Sequence, residues 1–361
     1  MDEVKNDYIK KALNELIPVL GIKEFVDHQK IIILIDSKKT KEAIKTIALY
    51  LGLPIEVNIS YVPKGYRPSS NDGFHSTHLV KTDNNNQGIG GITAQVSIPS
   101  NLPLFGTPSM VNFPISIRLS ENCTENPATF ISIMAHELSH VVLHSMWHRE
   151  KENEFYTDLT AMILGFANIM KTGRKIVKTS TSVSSGLLSS TTTTHTETTT
   201  YGYLSDDNFN FAFSEIRDIL NTQKSNKKKF FKKLCKFEKQ LKRDKKIYYS
   251  FGKYLNHLDK NLPKKISQED GYKISMFHQA GYTDNFQSII KNNEVKLETY
   301  FKFIQNLKNY TERNIQNMNQ YESQLKLAKE EVEKQTYVFK KDISILEKNI
   351  GFISKLKIRF T

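Results

Sequence analysis

From Phe130 to Val142 the chain is apolar except for two histidines, a glutamate and two serines. A segment of that make-up reads as a buried helix whose polar groups are confined to one face, so the fold must be built around it. Its polar residues form a pattern. His136, Glu137 and His140 spell H-E-x-x-H, and residues four apart on an α-helix sit about one turn above each other on one face. Two imidazoles so placed can chelate one zinc ion, with Glu137 beside the metal to take a proton from water. The helix start is marked too: Asn126 suits the N-cap and Pro127 the first helical position, where its missing N–H costs nothing.

Downstream, Asn153-Glu154-Phe155-Tyr156-Thr157-Asp158 heads a second helical pattern that continues through Leu159, Met162, Ile163 and Phe166. Glu154 and Asp158 are four apart and share a face. Thirteen residues separate His140 from Glu154. At about 1.5 Å of rise per residue, a return helix brings either carboxylate level with the histidines. The spacing therefore leaves open which of the two is the ligand, with Glu152 a weaker third candidate. His144 lies about 12 Å along the helix from His136, too far to share one ion.

Together the two segments, H-E-L-S-H and N-E-x-x-T-D, resemble the zincin metallopeptidases of the gluzincin type, and the short gap also resembles the ImmA/IrrE-type peptidases. The likeness covers roughly residues 110–170. It implies an α+β zincin-like catalytic domain: a small mixed sheet plus the metal-binding helix and the following helix. It further implies one Zn2+ held by His136, His140 and Glu154, Glu137 as general base, and Asp158 orienting a ligand imidazole. Ile115–Leu119 would be an edge strand that aligns an extended peptide. The resemblance specifies a protein or peptide substrate and nothing finer.

Composition sets the frame. At 361 residues the chain has room for two domains, and no apolar run approaches the ~20 residues needed to span a bilayer. The start, Met1-Asp-Glu-Val-Lys-Asn-Asp, is too acidic for a signal peptide, and Cys123 and Cys235 offer no disulfide framework, so a cytoplasmic location is expected. Charge is unevenly spread: of the net +13, residues from Asn221 onward hold 31 Lys+Arg against 15 Asp+Glu, and the preceding part is slightly acidic. The expected organisation is a catalytic domain over 1–222 and a basic, all-α, partly coiled-coil region over 223–361.

Residues 3–19 predict an amphipathic helix ending at Gly21, and Thr40–Leu51 a second. The β-branched run Ile31–Ile35 reads as a strand buried on both faces; Ile55–Val62, Ile92–Ile98 and Ile115–Leu119 alternate as strands. The polar stretch from Pro63 to Gly91, with His75 and His78, reads as a surface loop. The Thr-rich arms either side of Ser185-Gly186 read as a hairpin rather than a flexible linker. Its nearness in sequence to the motif makes His195, Tyr201 and Tyr203 candidate transition-state donors, with Tyr156 an outside candidate. Ser205-Asp206 then caps a helix bearing Phe209, Ala212, Phe213, Ile216 and Leu220.

Residues 227–246 contain eleven Lys/Arg against Glu238 and Asp244, interleaved with Phe230, Phe231, Leu234, Phe237 and Leu241, whose aromatics recur at helical spacing. One face suits a core; the other suits an anionic partner, nucleic acid or acidic protein. No zinc finger or other base-reading signature accompanies it. From about Leu297 to Leu356 a 3–4 apolar spacing predicts a long helix with an imperfect coiled-coil seam, pairing back on the chain or with a second copy. The sequence thus points to a zinc metallopeptidase. The alternative is a zinc-containing scaffold that works through its basic helical arm.

Overall fold

The computed structural model describes residues 5–66, 81–82, 93–185, 190–261, 282–313 and 318–349. The chain divides into two compact units, Met1–Asn221 and Thr222–Thr361.

In the first unit, α1 (Asn6–Leu20) ends where Gly21 takes a positive φ of 70°, and it buries Ile9, Ala12, Leu13 and Leu16. The next segment corrects the sequence reading. Ile31–Ile35 lies in a helix, α2 (Gln29–Asp36), and is not a strand. Ile31 and Ile35 are buried whereas Ile33 is 63% exposed. Burial at i and i+4 is the helical period, and a short apolar run cannot by itself distinguish the two periods. α3 (Thr40–Leu51) follows and is closed by Gly52 in the left-handed region.

The sheet is small. β1 (Glu56–Val62), β3 (Ala94–Val96) and β4 (Pro114–Ser120) lie in the order β1-β4-β3, with β1 parallel and β3 antiparallel to β4. Ile115–Leu119 is therefore the central strand, correcting the edge-strand expectation. Its backbone pairs on both sides, and the edges are β1 and β3. β2 (Lys81–Thr82) belongs to a second sheet. Most of the stretch from Pro63 to Gly91, including His75 and His78, lies outside the described residues.

α4 (Pro127–Ser145) is the apolar segment that carries His136, Glu137 and His140. Asn126 caps it by accepting a hydrogen bond from the Thr129 N–H, and nearly every residue is buried. α5 (Glu154–Ala161) follows, capped by Asn153. The helical pattern beyond it is interrupted: Met162–Phe166 forms a π-helical turn with Gly165 at φ 106° before α6 (Ala167–Gly173). The carbonyls of Ile163 and Gly165 accept from the backbone N–H groups of Lys23 and Val26 at 3.0 and 2.9 Å. The kink thus stitches the metal-side helices to the chain before α2. Gly173 packs so closely on α4 that a Cβ there would lie 2.2 Å from the Ala128 carbonyl oxygen.

β5 (Lys175–Ser185) and β6 (Ser190–Thr200) form the antiparallel Thr-rich hairpin, with β2 added against β6. Gly186 lies outside the described residues. A turn at Tyr201–Ser205 leads into α7 (Asp206–Asn261), where Ser205 Oγ accepts from Asn208 N–H at 3.2 Å. α7 is one continuous helix of 56 residues, whereas the sequence suggested two.

In the second unit, α7 from Thr222 onward, α8 (Tyr282–Arg313) and α9 (Met318–Asn349) share one core. Phe230, Leu234, Phe237, Leu241, Tyr248 and Phe251 meet Ile290, Leu297, Ile304 and Leu307 from α8 and Leu325, Val332 and Phe339 from α9. The expected long helix from Leu297 to Leu356 is represented by two described helices in contact with one another, so the seam residues pair back on the chain. Ile353 lies outside the described residues, and no described helix is long and apolar enough to cross a membrane.

Candidate metal centre

The centre is assembled from the facing sides of α4 and α5. Helical periodicity stacks His136 and His140 one turn apart, their rings 5.1 Å between centroids. The cap of α5 fixes the opposing carboxylate: Asn153 Oδ1 accepts from the Phe155 N–H at 3.1 Å, and its amide donates to Tyr8 Oη at 2.8 Å. Glu154 is thereby held as the first helical residue. Its Oε2 lies 3.0 Å from His136 Nε2 and 3.3 Å from His140 Nε2. One donor atom from each of His136, His140 and Glu154 lies within 4.8 Å of the other two.

Asp158 occupies a different place. Its Oδ1 meets His136 Nδ1 at 2.8 Å, behind the ring, and its Oδ2 accepts from the Tyr203 and Leu204 N–H groups at 2.8 and 3.2 Å. Thr157 Oγ1 lies 3.4 Å from His140 Nδ1. Each histidine therefore has its Nδ1 engaged by α5 while its Nε2 faces Glu154. This arrangement of a converging face and an outer ring of partners is what a histidine metal site requires. Two imidazole nitrogens and one carboxylate oxygen are a zinc-type donor set that leaves a coordination position free. The residues present fit the ion. The donor arrangement separates the two carboxylates that the spacing left interchangeable.

The electrostatics follow from burial. Glu137 is fully buried, which pushes its carboxyl up to about 8; the neighbouring Glu154 adds to the rise and His136 opposes it. Burial works to lower the His136 pKa, but the charge and hydrogen bond of Asp158, then Glu154, carry it up to about 10. For Glu154, burial raises the pKa, and the two imidazoles outweigh it and bring it down to about 2. A cluster of three carboxylates around two imidazoles is thus poised for a cation.

The turn after the hairpin forms the back wall. The Tyr203 ring stacks on His136, 5.5 Å between centroids and 21° between planes. Gly202 has φ 92°, and a Cβ there would lie 3.3 Å from Asp158 Oδ2. Arg174 secures the turn: its guanidinium donates to the Leu204 carbonyl at 2.5 Å and sits 4.6 Å from the Phe209 ring centroid, while its own carbonyl accepts from Tyr201 N–H at 2.7 Å. A cavity of about 20 Å³ lies between this turn and His136. On the solvent side, Glu154 and Tyr203 line an open depression of about 510 Å³ together with Arg149, Glu150, Glu152, Asn153 and Phe155.

Other residues singled out from sequence fall elsewhere. Tyr156 points away from the centre; its hydroxyl donates to Glu15 on α1 at 2.7 Å. Glu152 lies 3.3 Å from His144, apart from the converging donors. Tyr201 borders the small cavity, not the converging face. His195 stands in β6 opposite Ser180, six residues before Tyr201 opens the turn. Sequence reasoning overlooked Arg174 and Gly202. The available signal was weak: an isolated arginine before the Thr-rich arm and a glycine between two tyrosines.

Comparison with protein-family models, with curated proteins and with solved structures gave no match. The functional reading therefore rests on the geometry and chemistry of the centre.

Proposed function

We propose that the first unit is a zinc-dependent metallopeptidase that hydrolyses peptide bonds of a protein substrate. The observation that carries the reading is the convergence of His136, His140 and Glu154 within 4.8 Å beside a fully buried glutamate on the same helix. His136, His140 and Glu154 would hold the ion. When bound, zinc supplies Lewis-acid polarisation of a carbonyl and a water acidified toward neutrality.

The protein's own groups do the rest. Asp158 fixes the His136 ring through Nδ1 and is itself fixed by two backbone N–H groups. Glu137 takes a proton from the attacking water and passes it to the leaving amine nitrogen. A carboxyl raised by burial suits both transfers, because its proton affinity lies near working pH. Tyr203 is the candidate donor to the developing oxyanion. Burial, then the nearby Glu154 and Glu137 charges, push its phenol well above the usual range, so it keeps its proton.

The test is zinc per chain by elemental analysis, with turnover of a verified peptide substrate. Wild type should hold about one zinc, lost in His140→Ala and Glu154→Ala and bound ~10–100-fold more weakly in Asp158→Ala. Glu137→Gln should keep the zinc and lose at least ~100-fold in kcat. A folded wild type that takes up no zinc when supplied, or a fully active Glu137→Gln, would overturn the proposal.

A further inference from the structure

Within the second unit, the core uses one face of α7, and among the described residues the opposite face is exposed. Phe230, Leu234, Phe237, Leu241 and Tyr248 are buried along the seam. On the opposite side, taking 100° per residue, stand Lys228, Lys232, Lys239, Arg243 and Lys246, all exposed. They span about 27 Å of helix.

Among the described residues, the acidic groups that form ion pairs with this part of α7 engage lysines outside the stripe. Glu238 pairs with Lys242 and Lys308 at 2.8 and 2.7 Å. Glu322 pairs with Lys233 at 2.7 Å and Glu298 pairs with Lys245, so the lysines flanking the seam are bound across helices. Asp244 is buried. Arg243 Nε donates to the Lys239 carbonyl at 3.4 Å and adds its field to its buried neighbour Asp244, but none of the five stripe residues forms an ion pair among the described residues. Five like charges on one straight line repel each other in the isolated protein, and an anionic partner would relieve that repulsion.

We infer that this stripe docks the protein on the phosphate backbone of duplex DNA, without reading sequence. The chemistry of the stripe separates this partner from others. A protein interface would draw on aromatic, Met and Arg side chains and be poor in lysine, whereas four of the five here are lysine and none is aromatic. Stable seating on a lipid surface draws on buried apolar area as well as on charge, and the apolar face of this helix is inside the core, which leaves only the weaker electrostatic adsorption. Single-stranded nucleic acid is held by stacking on aromatic rings, which the stripe lacks, and double-stranded RNA is recognised across two successive minor grooves and the phosphates between them, a footprint that one straight row of cations does not match. What remains is a row of cations about 27 Å long facing a rod that carries one negative charge per ~1.7 Å. Phosphate contacts of this kind position a protein and carry no sequence information.

This inference is independent of the metal centre. Its test is fluorescence anisotropy of the full-length protein with labelled DNA duplex of about 30 base pairs, long enough to cover the stripe, across 50–200 mM salt. Five contacts predict a log–log slope contribution of about −4.5, a loss of roughly several hundred-fold in affinity over that range. Replacing all five stripe residues by Gln should remove that contribution. A control with Lys291, Lys296, Lys302, Lys334 and Lys341 replaced by Gln changes net charge equally and should keep most of it. Circular dichroism on both variants, and a milder Lys232→Gln/Lys239→Gln pair losing about two contacts, separate misfolding from lost binding. Absence of duplex binding at 50 mM salt would overturn the inference. So would an equal loss in the control, or tighter binding to single strands, RNA duplex, polyglutamate or anionic vesicles than to duplex DNA.

Discussion

At the residue scale, the centre is a set of acids and bases whose charges have been shifted against one another. His136 is raised to about 10 by Asp158 and Glu154 against burial, so at neutral pH the metal-free chain holds a proton on the imidazole that zinc needs. Uptake of the proposed zinc ion must displace it. Calorimetric titration of the metal-free protein at pH 7.0 in buffers of different ionisation enthalpy should therefore show release of about one proton or more per zinc, and affinity rising with pH. The sign for folding follows by linkage. Glu137, raised to about 8, and His136 both contribute stability that is full below their unfolded values and lost as pH rises through their folded ones. Glu154, lowered to about 2, acts the other way and loses its contribution as pH falls toward that value. The melting midpoint of the metal-free protein should fall from mildly acidic pH toward pH 10, and zinc should remove most of that slope. A midpoint that climbs across that range in the absence of metal would contradict these protonation states.

At the element scale, the structure makes a direct test of α2. Ile31 is fully buried and Ile33 is 63% exposed. Ile31→Ala should cost about 2–4 kcal/mol and Ile33→Ala less than about 0.5 in chemical denaturation. Comparable losses at both would restore a strand buried on both faces. The misreading shows what was legible and what was not. α1 and α3 announce themselves because their apolar residues repeat with a helical period, and α4 because its few polar residues do, while their ends carry Gly21, Gly52 and Asn126. Ile31–Ile35 offers neither, and its burial is decided by α3 and α4, which pack against it. Likewise the order β1-β4-β3 depends on pairings between residues distant in sequence, such as Val57 with Ile115 and Ala94 with Leu119, which strand alternation does not encode. His136, Glu137 and His140 were readable because their spacing is local to one helix. The choice between Glu154 and Asp158 depended on where the capped start of α5 meets α4. The backbone donors from Tyr203 and Leu204 come from a turn 45 and 46 residues beyond Asp158, and no local pattern reports them.

At the scale of the whole molecule, two separate apolar cores serve the two units, and the converging donors all belong to the first. Ligand binding stabilises the unit that holds the site by mass action, roughly 4 kcal/mol at a thousandfold excess over Kd. Scanning calorimetry should therefore resolve two transitions, with zinc raising one and leaving the other within a degree or two. One transition that moves as a whole with zinc would mean that the cores unfold together. The basic stripe belongs to the second unit, so salt and DNA should act on the transition that zinc leaves alone. The closeness of α6 to α4 carries a historical consequence. With a Cβ at residue 173 lying 2.2 Å from the Ala128 carbonyl oxygen, natural selection has almost no alternatives to test at that position, although it performs no chemistry. Among descendants of this chain, lineages that lose the proposed peptidase activity can let Glu137 drift, whereas Gly173 should stay as constant as the helix it leans on.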